Sequence, residues 1–270
     1  MTLPIRNTRI RLPQGQLFCR EVGNGRALLF LHGSWSDGSQ WLPVMERLGA
    51  AYLCLAPDLL GCGDSDRPKL SYSVELEVEV LSGYLEALRI QDVVLVGHEL
   101  GGWVAASYAL RHPDQVRGLV LLGAEGVKLD GVKGRWTWER WLTARPPLVA
   151  WLLPLVVLFS KLLGQKRSLD SLRRLKAKLR RSPAACRILF GRRKPELQAE
   201  LLNEQVPWLK LPLLIVQGGG DRSIAAALNQ VYAQAPEARL QIIPEADEQV
   251  LTENPEAVAA EIQAFVRSLS

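Results

Sequence analysis

Short apolar runs punctuate the chain, each ending at glycine or a turn: Leu28–Gly33, Tyr52–Pro57, Val93–Gly97, Gly118–Gly123, Leu211–Gly218 and Leu240–Pro244. Their apolar residues are continuous rather than alternating and are rich in Val, Leu and Ile. That pattern predicts strands covered on both faces, as in a parallel sheet. Helix-period segments lie between them at Val74–Leu88, Leu100–Arg111, Ile224–Ala235 and Pro255–Ser268, the last opened by a proline suited to a first helical turn. The first twenty-odd residues alternate around Gly15 and Gly23 and predict an antiparallel hairpin. Strand and helix thus alternate, and the predicted fold class is α/β, a doubly wound, mostly parallel sheet.

The alternation stops between about Val127 and Lys210, where only helical segments are readable: Trp136–Ala144, Leu148–Leu163, Leu169–Arg181 and Pro195–Trp208. We therefore expect a core of residues 1–126 and 211–270 interrupted by a helical cap, 127–210. Such a cap would cover the C-terminal edge of the sheet, where open α/β folds bind ligands.

A chain of 270 residues with 48% apolar and 23% charged residues suits one globular domain with an insertion. The net charge of +5 is uneven: residues 161–194 hold thirteen lysines and arginines against one acid, Asp170, so the remainder is net acidic. A basic insert on an acidic body points to one specialised face. With few aromatic residues among the cations, base stacking has little support and nucleic acid is not an expected partner. The four cysteines (Cys19, Cys54, Cys62, Cys186) have no metal-site spacing, and residues 1–10 have no apolar core of the kind a secretory signal needs. No cofactor or metal is implied, and a cytoplasmic location is the expectation.

The chemistry concentrates in Val93-Val94-Leu95-Val96-Gly97-His98-Glu99-Leu100-Gly101-Gly102-Trp103. A buried strand runs through Gly-x-X-x-Gly straight into a helix, so the middle residue is thrust out beside helix N–H groups. Here that residue is Glu99. With Leu31-His32-Gly33-Ser34-Trp35, Pro57-Asp58-Leu59-Leu60-Gly61-Cys62-Gly63-Asp64-Ser65, Arg111-His112-Pro113 and Gly220-Asp221-Arg222 in this order, the chain resembles the α/β-hydrolase family over nearly its whole length. The resemblance implies a nucleophile elbow at Glu99, oxyanion-hole N–H groups at Ser34 and Leu100, the triad acid at Asp221 and the histidine position at Glu248. Glu125 stands where some family members carry an alternative acid.

Two of these positions hold the wrong chemistry for serine-type hydrolysis. Glu99 replaces the nucleophile and Glu248 the base. Of the three histidines, His32 belongs to the oxyanion loop, His98 flanks the elbow with its ring expected to point away, and His112 ends a helix. Convergence of Glu99, Glu248 and Asp221 would force at least one carboxylate to retain a proton. The leading expectation is a degenerate triad on a protein that binds a lipophilic small molecule. Whether it is an enzyme stays open. One alternative is hydrolysis of ester- or epoxide-like substrates by Glu99 and Glu248, and another is carboxylates gathered around a hard cation or an organic amine.

The cap invites a further expectation. Pro146–Phe159 is very apolar but interrupted by Pro154 and too short to span a bilayer. Leu172, Leu175 and Leu179 line one face of a helix otherwise rich in arginine and lysine, and Trp136, Trp138, Trp141 and Trp151 crowd the same insert. The insert is thus either an ordinary lid with a solvated basic face or an interaction module that presents this face to an acidic partner or, peripherally, to an anionic membrane surface.

Overall fold

The computed structural model describes residues 3–129, 131–132, 136–143, 169–221, 223–244, 246–247 and 249–269. The expected apolar helix 148–163 and Glu248 lie outside them. The strands β1 (Arg6–Leu12), β2 (Gly15–Val22), β3 (Ala27–Leu31), β4 (Leu53–Pro57), β5 (Val93–His98), β6 (Val116–Leu122), β7 (Leu213–Gly218) and β8 (Ala238–Ile243) form one sheet in the order β1-β2-β4-β3-β5-β6-β7-β8. The β1–β2 hairpin and the β2–β4 pairing are antiparallel, and every pairing from β4 to β8 is parallel.

The continuous apolar runs follow from two-sided burial. Successive side chains on a strand point to opposite faces. Leu29, Leu31, Leu95, Leu119, Leu121 and Ile215 enter one core layer. Their neighbours Leu28, Phe30, Val94, Val96, Val120, Leu214 and Val216 enter the other. The first layer is covered by α2 (Val74–Ala87) and α3 (Leu100–Arg111), which pack on each other; the second by α1 (Leu42–Leu48) and α10 (Pro255–Ser268). Helix α1 was not anticipated: it is short and begins around Pro43, yet buries Val44, Met45 and Leu48.

All described elements between β6 and β7 are helical: α4 (Thr137–Thr143), α5 (Leu169–Arg181), α6 (Pro183–Cys186) and α7 (Lys194–Ala199), with a π-helical turn at Arg187–Gly191. The expected helix 195–208 is instead broken. It stops at Ala199, the Leu202 N–H turns away to the Gly126 carbonyl at 2.8 Å, and a separate 3-10 turn forms at Val206–Trp208. Pro207 explains part of this, since inside a longer helix it would lack the N–H that the helix requires. After β7 come α8 (Ile224–Tyr232), shorter than expected, and the single turn α9 (Val250–Glu253).

Candidate active site

Strand β5 delivers Glu99 to a sharp turn with φ 45° and ψ −113°, and α3 begins at the next residue. A side chain rarely accepts such a backbone, and residues held this way cost on the order of 1–3 kcal/mol. The turn is clamped from both sides. The Glu99 N–H donates to the Leu122 carbonyl at 3.1 Å, while its own carbonyl accepts from Trp103 at 3.1 Å and Glu125 at 3.0 Å. Glycine is required by closeness: a Cβ on Gly97 would lie 2.5 Å from the Gly102 Cα, and one on Gly101 would lie 2.3 Å from the Leu31 carbonyl oxygen.

The loop after β3 meets the elbow at a defined atom. The Ser34 N–H, one of the two expected oxyanion donors, donates to Oε2 of Glu99 at 2.8 Å. Leu100, the other, opens α3, so its N–H belongs to the first turn, which has no carbonyl one turn earlier. The partner of the Glu99 carboxylate is thus a backbone donor of the loop that would polarise a substrate carbonyl.

The imidazoles support this loop. His32 is fully buried, with Nδ1 2.8 Å from the Gly33 carbonyl and Nε2 accepting the Leu59 N–H at 2.9 Å. One nitrogen must donate and the other accept, so the ring is neutral, and burial pushes its pKa down in the same sense. His98 does not point away as expected. Its Nδ1 lies 3.3 Å from Nε2 of Gln40, whose Oε1 accepts the Gly33 N–H at 3.1 Å. A Cβ on Gly33 would sit 2.6 Å from His98 Nδ1 and 2.8 Å from Glu99 Oε2, so His98 and Glu99 flank the same glycine. His112 caps the far end of α3 against the Tyr108 ring, and burial, then Arg111, lowers its pKa.

Asp58, which the Pro57–Ser65 motif does not mark for any role of its own, ties the neighbouring loop together. It is fully buried and accepts from Gly38 N–H at 2.7 Å, Asp64 N–H at 2.7 Å and Arg20 at 2.6 Å. Glu77 went unnoticed altogether. It is buried at the start of α2, where Oε2 accepts the Leu60 N–H at 3.3 Å and Oε1 has no partner. Burial pushes its carboxyl up to about 8, with the Leu60 N–H opposing. Its signal in the sequence is position, because it shares the inward face of Val74, Val78 and Leu81.

Asp221 hydrogen-bonds within its own turn, accepting the Ser223 N–H at 2.8 Å. That turn adjoins the loop after β8: Gly219 and Gly220 donate to Ile243 and Ala246 at 2.8 and 3.0 Å, and Asp247 lies against Gly220. Glu125 is buried, and its carbonyl accepts the Tyr232 hydroxyl at 2.5 Å. The meeting of Glu248 with Glu99 falls outside the described residues. Among those residues no group of His, Cys, Asp and Glu is placed to hold a metal ion.

Next to Ser34, Trp35 carries the loop into an aromatic cluster shared with the segment between β6 and β7. Its ring centroid lies 5.4 Å from Trp136 and 6.3 Å from Phe190, and those two are 6.4 Å apart. The model of the "Alpha/beta hydrolase family" matches residues 28–261, from β3 into α10 and through every motif above. The chain belongs to this family. Among its relatives in the family, 2-hydroxy-6-oxo-2,4-heptadienoate hydrolase of Pseudomonas putida is 38% identical over 44% of this chain and 46% of its own length. Mycobacterial relatives match at 40% identity, and there the chain spans about a third of their length. 2-(Acetamidomethylene)succinate hydrolase of Mesorhizobium japonicum is 26% identical over 96% of this chain and 94% of its own. Of solved structures, a bacterial membrane phospholipase A superposes with a TM-score of 0.74 at 26% identity over 98% of this chain and 86% of its own. The epoxide hydrolase CorEH superposes at 0.76 and 18% identity over 99% of this chain and 100% of its own, which speaks for the fold alone.

Proposed function

We propose that this member of the α/β-hydrolase family has lost serine-type hydrolysis and binds a lipophilic small molecule between the elbow and the cap. The observation that carries the reading is the 2.8 Å hydrogen bond from Ser34 N–H to the Glu99 carboxylate. An acyl-transfer site needs that N–H for the oxygen on which charge develops. Here the Glu99 side chain on the nucleophile position already accepts it. A substrate carbonyl would have to displace this hydrogen bond to reach the N–H. The same bond weighs against Glu99 as a nucleophile in its own right, because the extra methylene takes its oxygen to the loop instead of toward a substrate. The rings of Trp35, Trp136 and Phe190 support an apolar ligand, since they gather aromatic side chains from the helical insert next to the loop that carries Ser34.

The test is turnover of p-nitrophenyl esters of increasing chain length and of styrene oxide. The expected result is no turnover above buffer for the native protein, together with a thermal upshift on adding decanol that Trp35→Ala abolishes. Ester or epoxide turnover that disappears in Glu99→Gln would overturn the reading and establish a carboxylate-dependent hydrolase. No response to decanol would remove the lipophilic ligand from it.

A further inference from the structure

Helix α5 resolves one ambiguity of the basic insert. Leu179 is 2% exposed within the main core and Leu175 packs against that core. Leu175 and Leu179 therefore face the protein, and Arg174, Lys178, Arg180 and Arg181 are left exposed. A second segment joins them. Arg67, exposed in the loop before α2, donates from Nη2 to the Arg181 carbonyl at 3.2 Å and to the Gly63 carbonyl at 3.1 Å. It brings exposed Lys69 and Leu70, the latter 43% accessible, to the same end of the helix.

Two ordinary explanations account for only part of this. Cations in the last turn of a helix favour its dipole, which covers Lys178, Arg180 and Arg181. Arg174 sits a turn and a half earlier, and Arg67 and Lys69 come from another segment. Ion pairing does not neutralise them either: among the described residues none of the six is in an ion pair, whereas Arg20, Arg111, Arg117 and Arg192 are. The exposed apolar side chain beside them, Leu70, offers no ring for stacking bases.

We propose that this face, formed by Arg67, Lys69, Arg174, Lys178, Arg180 and Arg181, docks the protein on a bilayer surface containing anionic phospholipid. Adsorption is electrostatic, with the helix lying on the headgroups and Leu175 and Leu179 kept against the core. Each cation within a Debye length of such a surface is worth roughly a five-fold gain in partitioning. Four of the six cations, Arg174, Lys178, Arg180 and Arg181, belong to the same insert that contributes Phe190 to the aromatic cluster, so a lipophilic molecule leaving the bilayer would meet that insert first.

The protein is sedimented with vesicles of phosphatidylcholine alone or mixed with phosphatidylglycerol. We compare low and high salt, and compare the native chain with the combined variant Arg174→Gln, Lys178→Gln, Arg180→Gln, Arg181→Gln. All four side chains are exposed, and an unchanged Tm confirms the fold. The expected result is binding to the mixed vesicles only, lost in high salt, and at least about ten-fold weaker in the variant. Equal binding to neutral vesicles, persistence in high salt, undiminished binding of the variant, or binding to polyuridylic acid without binding to mixed vesicles would each overturn the proposal.

Discussion

At the scale of single residues, Glu99 combines a strained backbone with a satisfied side chain. The two contributions can be separated by comparing Glu99→Gly with Glu99→Ala, both of which remove the carboxylate from Ser34. At ordinary positions glycine is the less stable of the pair because it gains more freedom on unfolding. At φ 45° the order should invert, with Glu99→Gly about 1 kcal/mol more stable in urea denaturation. The usual order would show that the elbow relaxes once the carboxylate is gone. Glu77 supports a prediction of a different kind. Its folded pKa of about 8 lies above the value of 4.5 ordinary for a glutamate. Between these values the folded chain holds a proton that the unfolded chain has lost, so stability is greatest below the lower value and falls as pH rises toward the upper. The slope attributable to this group is up to about 1.4 kcal/mol per pH unit. Glu77→Gln keeps an acceptor for the Leu60 N–H and removes the titration, so its Tm should stay flatter across this window; a slope equal to the native one would transfer the effect to another group. The titratable groups beside Glu77 are Cys62 and Tyr72, both held protonated well above this range by burial. Position was legible here and orientation was not. The spacing put Glu99 on the elbow, but neither the reach of its carboxylate to Ser34 nor the turn of His98 toward Gln40 is encoded in a motif, because both depend on side-chain torsions that packing selects.

At the scale of elements, the central strands β3 to β7 were readable because two-sided burial leaves an unbroken apolar run, and α3 and α10 because their ends carry clear signals. Segment α1 was not readable: seven residues give too short a period to separate from a loop. The break after Ala199 was missed for a tertiary reason, since the Leu202 N–H finds its acceptor in Gly126 rather than one turn earlier. What the glycines of the elbow do is set at this scale too. Helix α3 starts so close to the end of β3 that a Gly101 Cβ would meet the carbonyl carbon and oxygen of Leu31 at 2.5 and 2.3 Å, backbone atoms that cannot rotate aside. Gly101→Ala should therefore push the helix off the sheet and cost about 3 kcal/mol or more, comparable to severe overpacking of a core. A variant as stable as the native chain by chemical denaturation would mean that the helix shifts freely, and the close approach would lose its structural meaning.

For the whole molecule the question is whether the helical insert and the sheet unfold together. Glu200, just after α7, is the joint between them. Its carboxylate accepts the Val74 N–H at the start of α2 at 3.2 Å and pairs with Arg192 at 2.5 Å, while its carbonyl accepts the Trp103 indole N–H of α3 at 3.2 Å. A carboxylate at a helix N-terminus and a largely buried guanidinium make this an ion pair whose parts depend on each other: the Arg192 side chain is 8% exposed and its Nε has no other partner. Breaking such a pair from one side costs more than removing it entirely, because a buried charge is left behind. Glu200→Gln, which still offers an acceptor to Val74, should therefore lower stability by about 3 kcal/mol, and adding Arg192→Met should recover a large part of that loss. Because the joint reaches both α2 and α3, the loss should shift one cooperative urea transition, with tryptophan fluorescence and far-UV circular dichroism moving together. If fluorescence moves first while circular dichroism stays at the native midpoint, the insert melts on its own. Glu200 would then hold the cap in place without contributing to the stability of the sheet.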